Sequence, residues 1–265
     1  MQLQDVVEFL DTMRTTRPLV LNLTNYVVAN TTANALLALG ASPAMSHWDE
    51  DVRELTALAQ ALVVNIGTPT SEFVNGMFAA GTVARQENIP IVLDPIAMGV
   101  TQVRTQAVTR FLAQCPPAVI RGNASEIMAT AGVAVTSKGA DSTAAVEEAV
   151  DCAKQLASQR GCVISVSGAS DYVTDGKHTC KITGGHEMMP LVTGLGCTAT
   201  ALTGAFLAVS KPLEAAAAAM IVMSVAGSKA MEKAQGPGTL QLYFYDALYT
   251  LDLQDLKNHV RIEWI

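Results

Sequence analysis

The sequence predicts a single α/β domain over residues 1–265, with a central, mostly parallel sheet covered by helices on both faces. Three observations lead there. Short β-rich runs alternate with longer amphipathic stretches, the pattern of strand–helix–strand units. The runs are apolar throughout, as in strands buried on both sides. Each run also stops at Gly, Asn, Pro or a small polar residue, which marks its end.

In chain order the predicted strands are "PLVLNLT" (18–24), "ALVVNIG" (61–67), "PIVLDP" (90–95), "PAVIRGN" (117–123) and "CVISVSG" (162–168). Between them, "TNYVVANTTANALLALGASPAM" (24–45) reads as a helix followed by a short Pro-containing strand. Helical spacing continues in "TSEFVNGMFAAGTVARQEN" (70–88) and "STAAVEEAVDCAKQLASQR" (142–160). The pattern then changes. "DYVTDGKHTCKITGG" (171–185) predicts a hairpin turned at Asp175-Gly176, and helices are expected over 196–209, 213–234 and 238–251. The tail "LKNHVRIEWI" (256–265) carries no motif; it is expected to pack on the sheet edge or at a subunit contact.

Composition narrows the function. Half the residues are hydrophobic and 15% are charged, which describes a globular chain and not a disordered one. A net charge of −7 with scattered Lys and Arg argues against nucleic acid or an anionic membrane as partner. The longest apolar run, 215–227, is too short to span a bilayer. The five cysteines show neither CxxC nor metal-type spacing with the histidines, and no signal peptide opens the chain. A reduced, soluble, cytoplasmic protein is expected. His47, His178, His186 and His259 form no ligand spacing and are read as surface or structural.

Ligands of such sheets bind outside the carboxyl ends of the parallel strands. The residues just past those ends are Asn22 to Asn25, Asn65 to Thr68, Asp94, Arg121 to Glu126 and Ser167-Gly168. No GxxxxGK[ST] loop and no strand followed by GxGxxG is present, which excludes the usual P-loop and dinucleotide folds. Gly194-Leu195-Gly196-Cys197, just ahead of a helix, instead reads as a tight turn or as an anion site made of converging N–H groups. Cys197 would sit in the first helical turn, where thiol pKa values tend to fall; it reads as a weak base, a spectator or, as the position alone favours, a small packed hydrophobe. Asp94 either ends a strand or faces the crevice, where it would serve Mg²⁺ directly or through water. Asn123 and Glu126 have the spacing of a capping box, which leaves Arg121 unexplained except as a fork for phosphate. Ser167 offers a hydroxyl, Asn25 an amide and Met45 an apolar wall.

Together "ANALLALGASPAM", "VVNIGT", "LDPIAMG", "IRGNASEIMATAG", "VTGLGC" and "GPGT" resemble the hydroxyethylthiazole kinase family of the ribokinase-like superfamily, from about Pro18 to Leu251. The resemblance implies a three-layer α/β/α fold and transfer of the γ-phosphoryl of ATP, with Mg²⁺, to the primary hydroxyl of 4-methyl-5-(2-hydroxyethyl)thiazole. It also implies a homotrimer with active sites between neighbouring subunits. Met45 and Gly194 match thiazole-binding positions, with Asn25 and Gly67 nearby. Arg121 and Ser167 match ATP-binding positions, and Asp94 and Glu126 the acidic pair around metal and phosphates. Cys197 stands where ribokinase relatives usually carry an Asp base, so it is expected to place the hydroxyl while Gly194, Gly196 and their neighbours form the anion hole. Three departures from the family pattern stand out: Leu195 for Ala or Thr, Ser167 for Thr, and Pro190-Leu191 where a Thr-Lys pair is usual. Other readings at this level are a kinase of another small alcohol such as hydroxymethylpyrimidine, a nucleotide-dependent dehydratase, and a non-catalytic thiazole or nucleotide sensor.

Overall fold

The computed structural model of the chain describes residues 1–133 and 143–265. Its first half is a run of strand–helix units: α1 (Leu3–Thr16), β1 (Leu19–Leu23), α2 (Ala29–Leu39), β2 (Ser42–Met45), α3 (Asp49–Leu58), β3 (Ala61–Asn65), α4 (Ser71–Gln86) and β4 (Ile91–Asp94). α5 (Gln102–Gln114), β5 (Val119–Asn123), α6 (Ala124–Thr130), α7 (Thr143–Arg160) and β6 (Val163–Ser167) continue it. α7 takes the place of the helix expected over 142–160; Ser142 itself lies outside the described residues. The hairpin β7 (Asp171–Thr174) and β8 (Thr179–Gly184) follows, then helices α8 (Leu195–Leu207), α9 (Pro212–Met231), α10 (Pro237–Thr250) and α11 (Leu253–His259). The chain closes with β9 (Val260–Trp264).

The nine strands among the described residues lie in one sheet, in the order β2-β1-β3-β4-β5-β6-β7-β8-β9. The first six are parallel; β7, β8 and β9 pair antiparallel. The tail is thus a sheet-edge strand, with Ile262 opposite Ile182.

Alternation of side chains along each parallel strand sends neighbours to opposite faces. Val20, Val63, Val92, Val119 and Val163 join the core that includes α1, α2, α8, α9 and α10. Leu21, Leu62, Leu93, Ile120 and Ile164 join the core that includes α4, α5 and α7. α8 lies so close to the sheet that a Cβ on Gly204 would come 2.4 Å from Val63 Cγ2. Short side chains below and a glycine above let the N-terminus of α8 reach the carboxyl edge of β3 and β4. α9 is long and apolar enough to cross a membrane by length and composition, yet most of it is buried in this layer.

Candidate active site

Every site residue expected from the sequence lies at the carboxyl edge of the parallel strands or at the start of α8. β1 and β2 run in register with Asn22 opposite Met45, so half-buried Met45 reaches the rim beside the loop that carries Asn25. Gly67 is forced by Asn25: a Cβ at 67 would sit 2.6 Å from Asn25 Nδ2. Gly194, the N-cap of α8, has φ 88, and its Cβ would meet Val28 Cγ1 at 2.5 Å. A residue other than glycine would therefore be strained and would clash. The first N–H to close an α8 turn is that of Thr198, on the Gly194 carbonyl, which leaves the Leu195 to Cys197 amides outside the helical ladder.

Asp94 is 1% exposed. Its Oδ2 accepts from Asn65 Nδ2 at 2.9 Å and from the Thr200 hydroxyl at 2.7 Å. Its Oδ1 is buried without a partner. Burial pushes its pKa up to about 7, against the pull of Arg121, while Glu126 adds to the rise. Arg121, 7% exposed, donates to the Gly196 carbonyl at 2.9 Å and to Ser167 Oγ at 2.7 Å, and its Nε has no partner. It thereby joins the ends of β5 and β6 to the first turn of α8.

Glu126 does close the capping box with Asn123, as its spacing predicts. One oxygen accepts from the Asn123 amide at 2.9 Å and the other from Ala97 at 3.0 Å. Ala97 itself is left-handed, at φ 56. Glu126 therefore holds the loop that follows Asp94. The donor set suits a hard cation: a buried carboxylate oxygen with no partner on Asp94, and the electrostatically coupled carboxylate of Glu126. Among the described residues no group of three or more His, Cys, Asp and Glu gathers as a metal cage.

The Cys197 thiol does not follow the downward tendency of a helix start. Burial raises its pKa, and the Asp94 carboxylate adds to the rise; hydrogen bonds from Asn65 and Asn25 and the charge of Arg121 only partly offset this. The position at a helix start loses to desolvation and a nearby negative charge.

Three residues of the site, Thr200, Arg104 and Asp171, were not singled out by the sequence reading, and Asn65 was placed at a strand end without a role. Asn65 and Thr200 are the donors to Asp94. Arg104, on α5, donates to the carbonyls of Ile66 at 2.6 Å, Gly67 at 2.7 Å and Ile96 at 3.1 Å, tying two site loops together. Asp171 accepts from Gly168 N–H at 3.1 Å and fixes the turn after Ser167. Burial raises its pKa to about 6. Beside that turn is a cavity of about 380 Å³ lined by residues including Asn123, Ser125, Val166, Ser167, Gly168 and Tyr172.

Comparison with known proteins identifies the family. A model of the hydroxyethylthiazole kinase family matches residues 10–254. The hydroxyethylthiazole kinase of Oleidesulfovibrio alaskensis is 50% identical over 251 residues, covering 94% of each chain. The solved hydroxyethylthiazole kinase of Pyrococcus horikoshii OT3 superposes with a TM-score of 0.91 at 40% identity, over 99% of both chains. The pyridoxal kinase of Staphylococcus aureus in complex with AMP-PCP and pyridoxal shares the fold, with a TM-score of 0.67 at 16% identity over 94% of this chain and 98% of its own. The chain is a kinase and belongs to the hydroxyethylthiazole kinase family.

Proposed function

We propose that this chain transfers the γ-phosphoryl of ATP to the primary hydroxyl of 4-methyl-5-(2-hydroxyethyl)thiazole. The observation that carries the reading, beside family membership, is the Arg121 fork. It spans Ser167 and the first turn of α8 and leaves Nε free, next to a cavity of about 380 Å³. The cavity suits the nucleoside of ATP, and the fork its phosphates. On the other side, Met45, Asn25, Gly67 and Gly194 suit the thiazole.

Phosphoryl transfer has a loose transition state, so placement and charge stabilisation matter more than deep deprotonation. Arg121 and the amides of Gly194 to Cys197 oppose the charge that spreads over the moving group. Cys197, a neutral thiol with a raised pKa, places the acceptor hydroxyl and does not need to strip its proton beforehand. Mg²⁺ would be held by Asp94 Oδ1 and Glu126, directly or through water, and when bound it neutralises phosphate charge.

The reading extends to the whole chain, 1–265, acting as one kinase domain in the cytoplasm, where five free thiols suit a reducing medium. It also extends to a homotrimer with shared sites. In support, Tyr26, Val27 and Trp48 stand 63%, 62% and 57% exposed beside Asn25 and Met45, an apolar rim that a neighbouring copy would cover. A mass measurement in solution tests the trimer, and a fully active monomer would end it. The reaction is tested by mass spectrometry of the thiazole incubated with protein, ATP and Mg²⁺, with hydroxymethylpyrimidine in parallel and Arg121→Ala as control. The expected result is a phosphate on the thiazole, much reduced in the variant. No product from the thiazole would overturn the reading.

A further inference from the structure

Two asparagines form a polar chain whose direction is set by the backbone. Asn25 Oδ1 accepts from the Val27 N–H at 3.1 Å, so its amide nitrogen faces the other way. That nitrogen donates to Asn65 Oδ1 at 2.9 Å and lies 3.5 Å from Cys197 Sγ. Asn65 Oδ1 accepts a second bond, from the Gly67 N–H at 3.0 Å. With both donors on its oxygen, Asn65 turns its nitrogen to Asp94 Oδ2, at 2.9 Å, and toward the Cys197 thiol. A backbone N–H can only donate, so Val27 and Gly67 exclude the flipped form of each amide. The side chains of Asn25 and Asn65 are buried, so each bond lost leaves a polar atom unsatisfied.

This chain bears on Asp94. Asn65 and Thr200 saturate one carboxylate oxygen, and the other has no partner. The same asparagine contacts the amide of Gly67 and the side chain of Asn25, on the acceptor side of the site. We infer that Asn65 is a positioning residue: it locks the Asp94 carboxylate so that Oδ1 faces the phosphates and metal, and it couples that orientation to the thiazole side. The inference rests on the kinase reading above. It predicts an effect on turnover with little effect on acceptor binding, since Asn65 acts through Asp94 and does not itself grip the thiazole.

Asn65→Asp tests it. The aspartate keeps the shape and both acceptor bonds of Asn65, loses the donation to Asp94 and to the Cys197 thiol, and sets a second carboxylate against Asp94. Asn65→Ala removes the same donation without a second buried carboxylate, and with it the acceptor for Gly67 and Asn25. Steady-state kinetics with hydroxyethylthiazole, ATP and Mg²⁺ would accompany thermal melts of each protein. The expected result is a kcat about 100-fold lower in both variants, with the acceptor KM of Asn65→Asp, which keeps the bonds to Asn25 and Gly67, within about threefold, as for a lost transition-state interaction. Melting of at least one variant should stay near that of the parent. Retention of kcat within threefold in Asn65→Ala would overturn the inference. So would a rise in acceptor KM at unchanged kcat, which would make Asn65 a binding group. No product from the parent protein would instead bring down the kinase reading itself.

Discussion

Arg121 donates to the carbonyl of Gly196 and to the hydroxyl of Ser167, so one guanidinium spans the ends of β5 and β6 and the start of α8. A lysine can supply the charge but not the planar fork. Arg121→Lys is expected to raise the KM for ATP by about tenfold or more, in line with the loss of a bidentate charged contact. Steady-state kinetics at saturating thiazole would measure it, and an unchanged KM would remove Arg121 from the nucleotide site.

The raised thiol pKa of Cys197 argues that its proton stays on at neutral pH. A serine at this position preserves a small polar group. Cys197→Ser is therefore expected to keep turnover within about tenfold, because a loose transition state asks little of a base. Abolished turnover with intact thiazole binding would show that placement is too weak a role for this side chain.

Gly194 combines a left-handed backbone with a tight approach to Val28. Gly194→Ala should cost about 1–3 kcal/mol of stability through strain alone, before the clash is counted. Because the same turn forms the lip of the acceptor site, the thiazole KM should rise as well. Denaturant unfolding and kinetics on one preparation would separate the two effects.

Burial raises the Asp171 pKa from 3.8 to about 6, against the pull of the Gly168 amide, Arg121 and Ser224. A carboxyl raised on folding binds its proton more tightly in the native state, so its contribution declines as pH rises from about 4 to about 6, then levels off. Over that window the loss is on the order of 2 kcal/mol. Asp171→Asn keeps an acceptor for Gly168 and should flatten this part of the stability profile. Asp94, raised to about 7, will leave a residual slope in the same direction. Unfolding midpoints at pH 4, 5 and 6 would show the difference, and identical slopes in parent and variant would refute it.

The sheet was legible because its strands are apolar on both faces: "PLVLNLT" gives β1 and "CVISVSG" gives β6, each trimmed at its punctuated end. The residues with chemistry at strand ends were legible for the same reason, since Asp94 and Arg121 stand out against apolar neighbours. Thr200 was not. In "GCTATALTG" it looks like any small residue of a buried helix, and only the stacking of α8 over β4 brings it to Asp94. Asn65 had the right address but no motif to mark its amide as a link. β9 was hidden because an edge strand needs its partner, β8, more than any pattern of its own.

α8 draws its partners from distant parts of the chain. Cys197 meets Asn25 from 172 residues away, Thr200 meets Asp94 from 106 and Gly196 meets Arg121 from 75. Contacts of such long sequence separation tend to form late, because a large loop must close before they give anything back. Six parallel strands can therefore be in place while no catalytic geometry yet exists. During refolding, recovery of kinase activity should trail the return of secondary structure, and it marks the moment when α8 settles onto the sheet.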